Sequence, residues 1–195
     1  MRLFLAIEPE RRIRQALGDV ITAAARALGP AATALRWVDA GNVHLTLHFL
    51  GEVDPRRART VAGALTSPFS HAPFVVTLDH FGVFPPAGSP RTVWLGAGQG
   101  TADLRRVHEE LGRRLTSLGF ALESRPLSPH ITIARARDGE RHRGRPILET
   151  LSTLTVPALS WTVDHATLFI SDLSGPKPQY EEIGRLPIGE SAPPA

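Results

Sequence analysis

The chain has 195 residues, 42% hydrophobic and 21% charged, which fits a folded globular protein built as one domain or two small lobes on a shared core. With no cysteine, disulfides, thiol nucleophiles and thiolate metal sites are excluded. The net charge is +3 although the sequence pI is about 10.4, because Lys177 is the single lysine among 22 basic residues and arginine stays charged at any relevant pH; the pI reports arginine usage rather than a strongly basic surface.

Arg2 to Ile7 is a short apolar run and reads as a buried strand. It is too short for a secretion signal, and no apolar run has membrane-spanning length, so a cytoplasmic protein is expected. Pro9 suits a first helical position. Ile13, Leu17, Val20, Ile21, Ala24 and Leu28 then recur with helical spacing up to Gly29-Pro30, leaving Arg11, Arg12, Arg14 and Asp19 on a solvated face. Arg36 to Val38 reads as a short strand, and Val43 to Leu50 as a longer one ending at Gly51. Asp54-Pro55 opens a second helix, with Asp as N-cap and Pro at N1, that turns Val61 and Leu65 inward.

Phe74 to Phe84 and Thr92 to Ala97 read as strands joined by a proline-rich loop. The glycine-rich run Gly96 to Gly100 lacks the Lys-Ser/Thr of a nucleotide P-loop, so a strand-to-helix turn is expected. A third helix from about Ala102 to Leu118 buries Leu104, Val107, Leu111, Leu115 and Leu118. Phe120 to Glu123 reads as a short strand, His130 to Arg135 as a longer one, and residues 137–145 as a mobile charged loop. A short helix over Pro146 to Leu154 precedes strands at Leu159 to His165, Ala166 to Ile170 and Tyr180 to Leu186. The tail from Gly189 has nothing to bury and is expected to be disordered. Helices at matching points of each half point to an α+β fold, with two similar lobes around antiparallel sheets rather than a doubly wound parallel sheet.

One tetrapeptide pattern occurs twice: His44-Leu45-Thr46-Leu47 and His130-Ile131-Thr132-Ile133, 86 residues apart (130 − 44). On a strand, the His and Thr of each copy share a face while the aliphatics point into a core. An imidazole titrates near pH 6.5, so two of them can flank a reacting atom with one neutral and one protonated. Displacement at phosphorus needs that pair, because the nucleophile loses a proton as the leaving oxygen gains one. A Thr hydroxyl two residues along can donate to a non-bridging oxygen. For a lone His in such a run a buried structural imidazole is the simpler reading; the repeat tips the balance to function. A metal site is less favoured: His44 and His48 share a face of an ideal strand but stand about 13 Å apart, and no acidic residue lies in either motif. His48 reads as an exposed or groove-edge residue. Trp37, Phe84 and Trp94 could stack a base, though core packing is the simpler assignment.

With these flanks the chain resembles the two-histidine (2H) phosphoesterases, in particular the bacterial and archaeal RNA 2′,3′-cyclic phosphodiesterases also called 2′-5′ RNA ligases. The matching stretches are residues 2–7, Arg36-Trp37-Val38, Asn42 to Leu47 with Phe49 to Val53, Gly82 to Pro85, Val93 to Gly96 and Ser128 to Arg135, so the resemblance runs from residue 2 to about 187. It implies a bilobal fold over residues 1–188, with two pseudo-symmetric lobes of antiparallel sheet, helices outside and the site in the cleft between them. It further implies hydrolysis of RNA 2′,3′-cyclic phosphate ends to 2′-phosphomonoesters, without metal or cofactor, by a monomer, with reverse 2′-5′ ligation as a companion reaction. His44 and His130 become the catalytic pair, His44 the acid and His130 the base, with Thr46, Thr132 and Arg135 binding phosphate. Arg135 lies five residues after His130, so it reaches the cleft only if a bulge or the strand end turns it. At His48 the family commonly has lysine. Two other readings stay open: an RNA-end binding module, and a phosphodiesterase acting on small cyclic nucleotides.

Overall fold

The computed structural model describes residues 1–122, 125–137, 144–172, 174–175 and 177–189, with the side chains of 144 and 145 excepted. Nine strands form one antiparallel sheet: β1 (Arg2–Ile7), β2 (Leu35–Trp37), β3 (Leu45–Glu52), β4 (Phe74–Phe84), β5 (Thr92–Ala97), β6 (His130–Ala136), β7 (Leu159–Val163), β8 (His165–Asp172) and β9 (Gln179–Pro187). Among the described residues four α-helices accompany them: α1 (Arg11–Leu28), α2 (Pro55–Ala64), α3 (Thr101–Ser117) and α4 (Gly144–Ser152). The hydrogen-bonded order is β7-β4-β5-β6-β3-β1-β8-β9, with β2 added on β6. The fold is therefore α+β.

Strands β7 and β8 lie six places apart in this order, yet Asp164 alone separates them in the chain. One residue spans at most about 3.6 Å, so the sheet has to curl back on itself, which makes it a half-barrel with a concave inner face. Its middle is a single paired position, Leu45↔Ile131, where β3 meets β6. These are equivalent residues of the two His-x-Thr motifs. The two lobes expected from the sequence are thus two halves of one sheet, and the repeated strands are its central neighbours.

The convex side carries the helices and the main core. Helix α1 buries Ile13, Leu17, Val20, Ile21, Ala24 and Leu28, the stripe its periodicity requires. Helix α3 buries Leu104, Val107, Leu111 and Leu115, with Leu118 packed at the margin. Asp54 caps α2 by accepting from the backbone N–H of Arg56 and Arg57, with Pro55 at N1. Glu10, not the residue before Pro9, is the N-cap of α1, so Pro9 precedes the helix rather than opening it. Phe120 to Leu122 form no strand: Phe120 instead packs down after the turn at Gly119, beneath the guanidinium of Arg57, which lies 4.4 Å from its ring centroid. The charged segment expected to be mobile falls largely on residues 138–143, outside the described residues, as does the tail from 190. No helix among the described residues is long and apolar enough to cross a membrane.

Candidate active site

Each motif histidine is set by the same local device. A 3-10 turn, Ala40–Asn42, is capped by Asp39, whose side chain accepts from the N–H of Gly41. The chain then turns extended, and His44 donates from Nδ1 to the Asn42 carbonyl at 2.8 Å. His130 donates from Nδ1 to the Ser128 carbonyl at 2.7 Å. A carbonyl can only accept, so in both rings Nδ1 carries the proton and the neutral ring presents the Nε2 lone pair. In both cases the acceptor lies two residues upstream.

Beyond each histidine the strands run in parallel detail. In β3 the partners of β1 jump from Thr46 to His48, so Leu47 is an extra, bulged residue. In β6 the partners of β5 jump from Thr132 to Ala134, which makes Ile133 the bulge. The bulge falls on the fourth residue of each motif and reverses the alternation after it. Leu47 and His48 are consequently both buried and Phe49 exposed; Ile133 and Ala134 are both buried and Arg135 exposed. Arg135 thereby joins His130 and Thr132 on the concave face; burial is the main reason the pKa of both His44 and His130 is lowered, and the Arg135 charge adds to it. The bulge needed to turn Arg135 inward is present.

The same bulge overturns two expectations for His48. It does not share a face with His44, and it is not exposed: at 7% exposure it points to the convex side. There it donates from Nε2 to the His108 carbonyl at 2.8 Å, its ring stacked on His108 with centroids 4.0 Å apart. Burial lowers the pKa of His48, and burial plus the neighbouring His48 charge takes His108 to about 4. The core assignment holds for Trp37, which donates to the Ala32 carbonyl. It fails for Phe84 and Trp94, because glycine and threonine opposite them on the concave face leave room for their rings beside His130, at centroid distances of 5.1 and 5.7 Å.

His44 has its own aromatic wall, with Phe4 at 4.9 Å and Tyr180 edge-on at 5.2 Å. Those two rings form, with Ala6 and Phe169, a small apolar cluster separate from the main core. Enclosure there takes the His44 pKa down to about 4, chiefly through lost hydration, with the Arg135 and His130 charges adding to the effect. His44 feels the charge of His130, and both feel that of Arg135, so the three side chains lie within electrostatic reach of one another on the concave face. Burial lowers His130 as well. Sequence reasoning missed Phe4, Tyr180 and Phe49. Phe49 is 67% exposed on the concave face and stands five residues after His44, the offset of Arg135 from His130; the offset already in hand for Arg135 was the signal.

Among the described residues no group of three His, Asp or Glu side chains is placed to hold a metal. Two unlike imidazoles, two threonines and one arginine share the concave face, a set of side chains whose chemistry suits an anionic group such as a phosphoryl. The family model for the 2′-5′ RNA ligase superfamily matches residues 8–175. The chain belongs to the 2′-5′ RNA ligase superfamily.

Relatives resemble this chain over half to nearly all of its length. An RNA 2′,3′-cyclic phosphodiesterase of Thermotoga maritima is 32% identical over 182 residues, covering 93% of this chain and 92% of that protein. One from Aeropyrum pernix is 39% identical over a shorter stretch, 53% of this chain and 58% of the relative. The crystal structure of E. coli LigT complexed with 3′-AMP superposes with a TM-score of 0.69 at 29% identity, over 97% of this chain and 98% of LigT. The half-barrel with outer helices is thus the superfamily's architecture, and the chain is a 2H phosphoesterase.

Proposed function

We propose that this phosphoesterase hydrolyses RNA 2′,3′-cyclic phosphate ends to 2′-phosphomonoesters by general acid–base catalysis, as a metal-free monomer acting as one unit over residues 1–188. The observation that carries the reading is the matched pair of histidines, each with Nδ1 tied to the carbonyl two residues upstream, which leaves the Nε2 lone pair for proton transfer. Relatives named RNA 2′,3′-cyclic phosphodiesterase, one matched over nearly its whole length, support the substrate class.

The step balances with these residues alone. Water attacks phosphorus opposite the 3′ oxygen, and His130 accepts its proton at Nε2. The bond from phosphorus to the 3′ oxygen breaks, and His44 delivers a proton to that oxygen. The product keeps its phosphate on the 2′ oxygen. Thr46, Thr132 and Arg135 hold the non-bridging oxygens as charge builds on them. Because burial keeps His44 neutral in the free protein, its proton has to be taken up with the substrate, whose anionic charge beside the ring favours the imidazolium. Ligation is the same step with an RNA 5′-hydroxyl in place of water: its oxygen bonds to phosphorus, its proton goes to His130, and the 3′ oxygen leaves with the proton of His44.

Product identification tests the reading. Purified protein given an oligonucleotide with a 2′,3′-cyclic phosphate end, in EDTA, should yield the 2′-phosphate. A 3′-phosphate product, or activity that vanishes on chelation, would overturn it. Tight RNA binding without turnover would point instead to an end-binding module.

A further inference from the structure

A second repeat lies on the strands behind the motif strands: Thr77-Leu78-Asp79-His80-Phe81-Gly82-Val83-Phe84 and Thr162-Val163-Asp164-His165-Ala166-Thr167-Leu168-Phe169, 85 residues apart (162 − 77). Both copies adopt the same local structure. In each, the histidine donates from Nδ1 to the preceding aspartate, at 2.5 Å. Asp79 is an extra residue in β4, where the partners of β5 jump from Leu78 to His80; Asp164 is the break between β7 and β8. The two copies differ in their surroundings. The His165 side chain is 26% exposed, whereas that of His80 is 55% exposed on the concave face.

His80 pairs across β5 with Gly96, and Gly96 pairs with His130, so the three lie in one row along the cleft wall. Gly96 is what lets the row work. A Cβ there would stand 2.3 Å from Cε1 and Nε2 of His80, so the imidazole lies over the bare glycine and leans toward His130. Trp94 meets the same ring edge-on at 5.7 Å and fixes its tilt. With Asp79 accepting from Nδ1, the other pole of His80 is Nε2, and β4 lies two strands from β6 and its His130, with Gly96 of β5 between them. Around His44, by contrast, Phe4 and Tyr180 close the wall, and Thr167, paired with Ala6 of β1, is fully buried.

We propose that His80, positioned by Asp79 over Gly96, binds the phosphodiester on the 5′ side of the terminal nucleoside, so that the enzyme prefers RNA ends to cyclic mononucleotides. This inference rests on the phosphodiesterase reading. An RNA chain leaves the terminal ribose through its 5′ oxygen, and the open row past His130 is the route the wall around His44 denies it. The imidazolium form of His80 donates from Nε2 to a non-bridging oxygen of that phosphate, a charge-assisted hydrogen bond. A mononucleotide has no phosphate at that place.

The test compares binding of a nucleoside 2′,5′-bisphosphate and the nucleoside 2′-phosphate by calorimetry, beside hydrolysis of a dinucleotide and a mononucleotide 2′,3′-cyclic phosphate. The wild type should bind the bisphosphate about tenfold more tightly, the yield of one charged hydrogen bond. In His80→Ala that preference should disappear, and the dinucleotide rate should fall about tenfold more than the mononucleotide rate. His80→Gln, which keeps a donor, should restore part of both. Retention of the preference in His80→Ala, or its absence in the wild type, overturns the subsite while leaving the phosphodiesterase reading intact. If the wild type hydrolyses neither cyclic phosphate, the phosphodiesterase reading itself falls and takes this subsite with it.

Discussion

The two halves of the sheet use one backbone device for unlike ends. Each has a His tied by Nδ1 to the carbonyl two residues before it, a Thr on the same face, and a bulge at the fourth motif residue. After the bulge, the residue returned to the cleft is Phe49 in one half and Arg135 in the other. The neighbours follow suit. His44 stands against Phe4 and Tyr180 and is the more enclosed imidazole, while the wall by His130 opens past Gly96 to His80. Duplicated geometry therefore sets two imidazoles on one concave face with different surroundings, and in the proposed reaction that difference separates the acid from the base.

The strongest way to break the comparison is to remove either imidazole. His44→Ala and His130→Ala should each lower kcat at least ~10²-fold, and the double variant should be little worse than either single one, since the two act on one step. Near-wild-type turnover by either variant would refute the pairing. Arg135→Ala should cost about 10²-fold in kcat, as for other donors to a developing oxyanion. Phe49→Ala should act mainly on KM, by several-fold, as the loss of one stacking face would. Equal effects of these two substitutions on kcat would show that the halves are not specialised as described.

The pH dependence sharpens the same point. Both free-protein histidines titrate below 6.5, so the singly protonated pair becomes scarcer above that value, and kcat/KM should decline as pH rises past it. A flat profile from pH 6 to 8 would contradict the lowered values. The smallest expected effect is on stability. His44 titrates at about 4 in the folded protein and near 6.5 unfolded, so the unfolded chain binds more protons between those values. Its contribution is in place above 6.5 and is lost as pH falls toward 4. His48, also lowered, adds in the same direction. Chemical denaturation at pH 7 and pH 4.5 should show the loss, and His48→Leu should make it shallower.

The sequence alone determined most of the helices and strands and the pair of motifs, though not the end of α3, where the strand expected from Phe120 does not form. The apolar stripes of α1 and α3, the Asp54-Pro55 start of α2 and the bounds of β4 follow from periodicity and capping, which are local. His44, Thr46, His130 and Thr132 were legible because a repeated pattern does not depend on register. Only the tertiary structure decided which way the residues after each motif face. A bulge is defined by the partner strand, so neither the burial of His48 nor the exposure of Phe49 and Arg135 can be read from one strand's alternation. The same holds for the curl of the sheet, imposed by pairing order across Asp164, and for the aromatic walls, assembled from strands distant in the chain. Local patterning fixes what a residue can do; long-range pairing fixes what it faces.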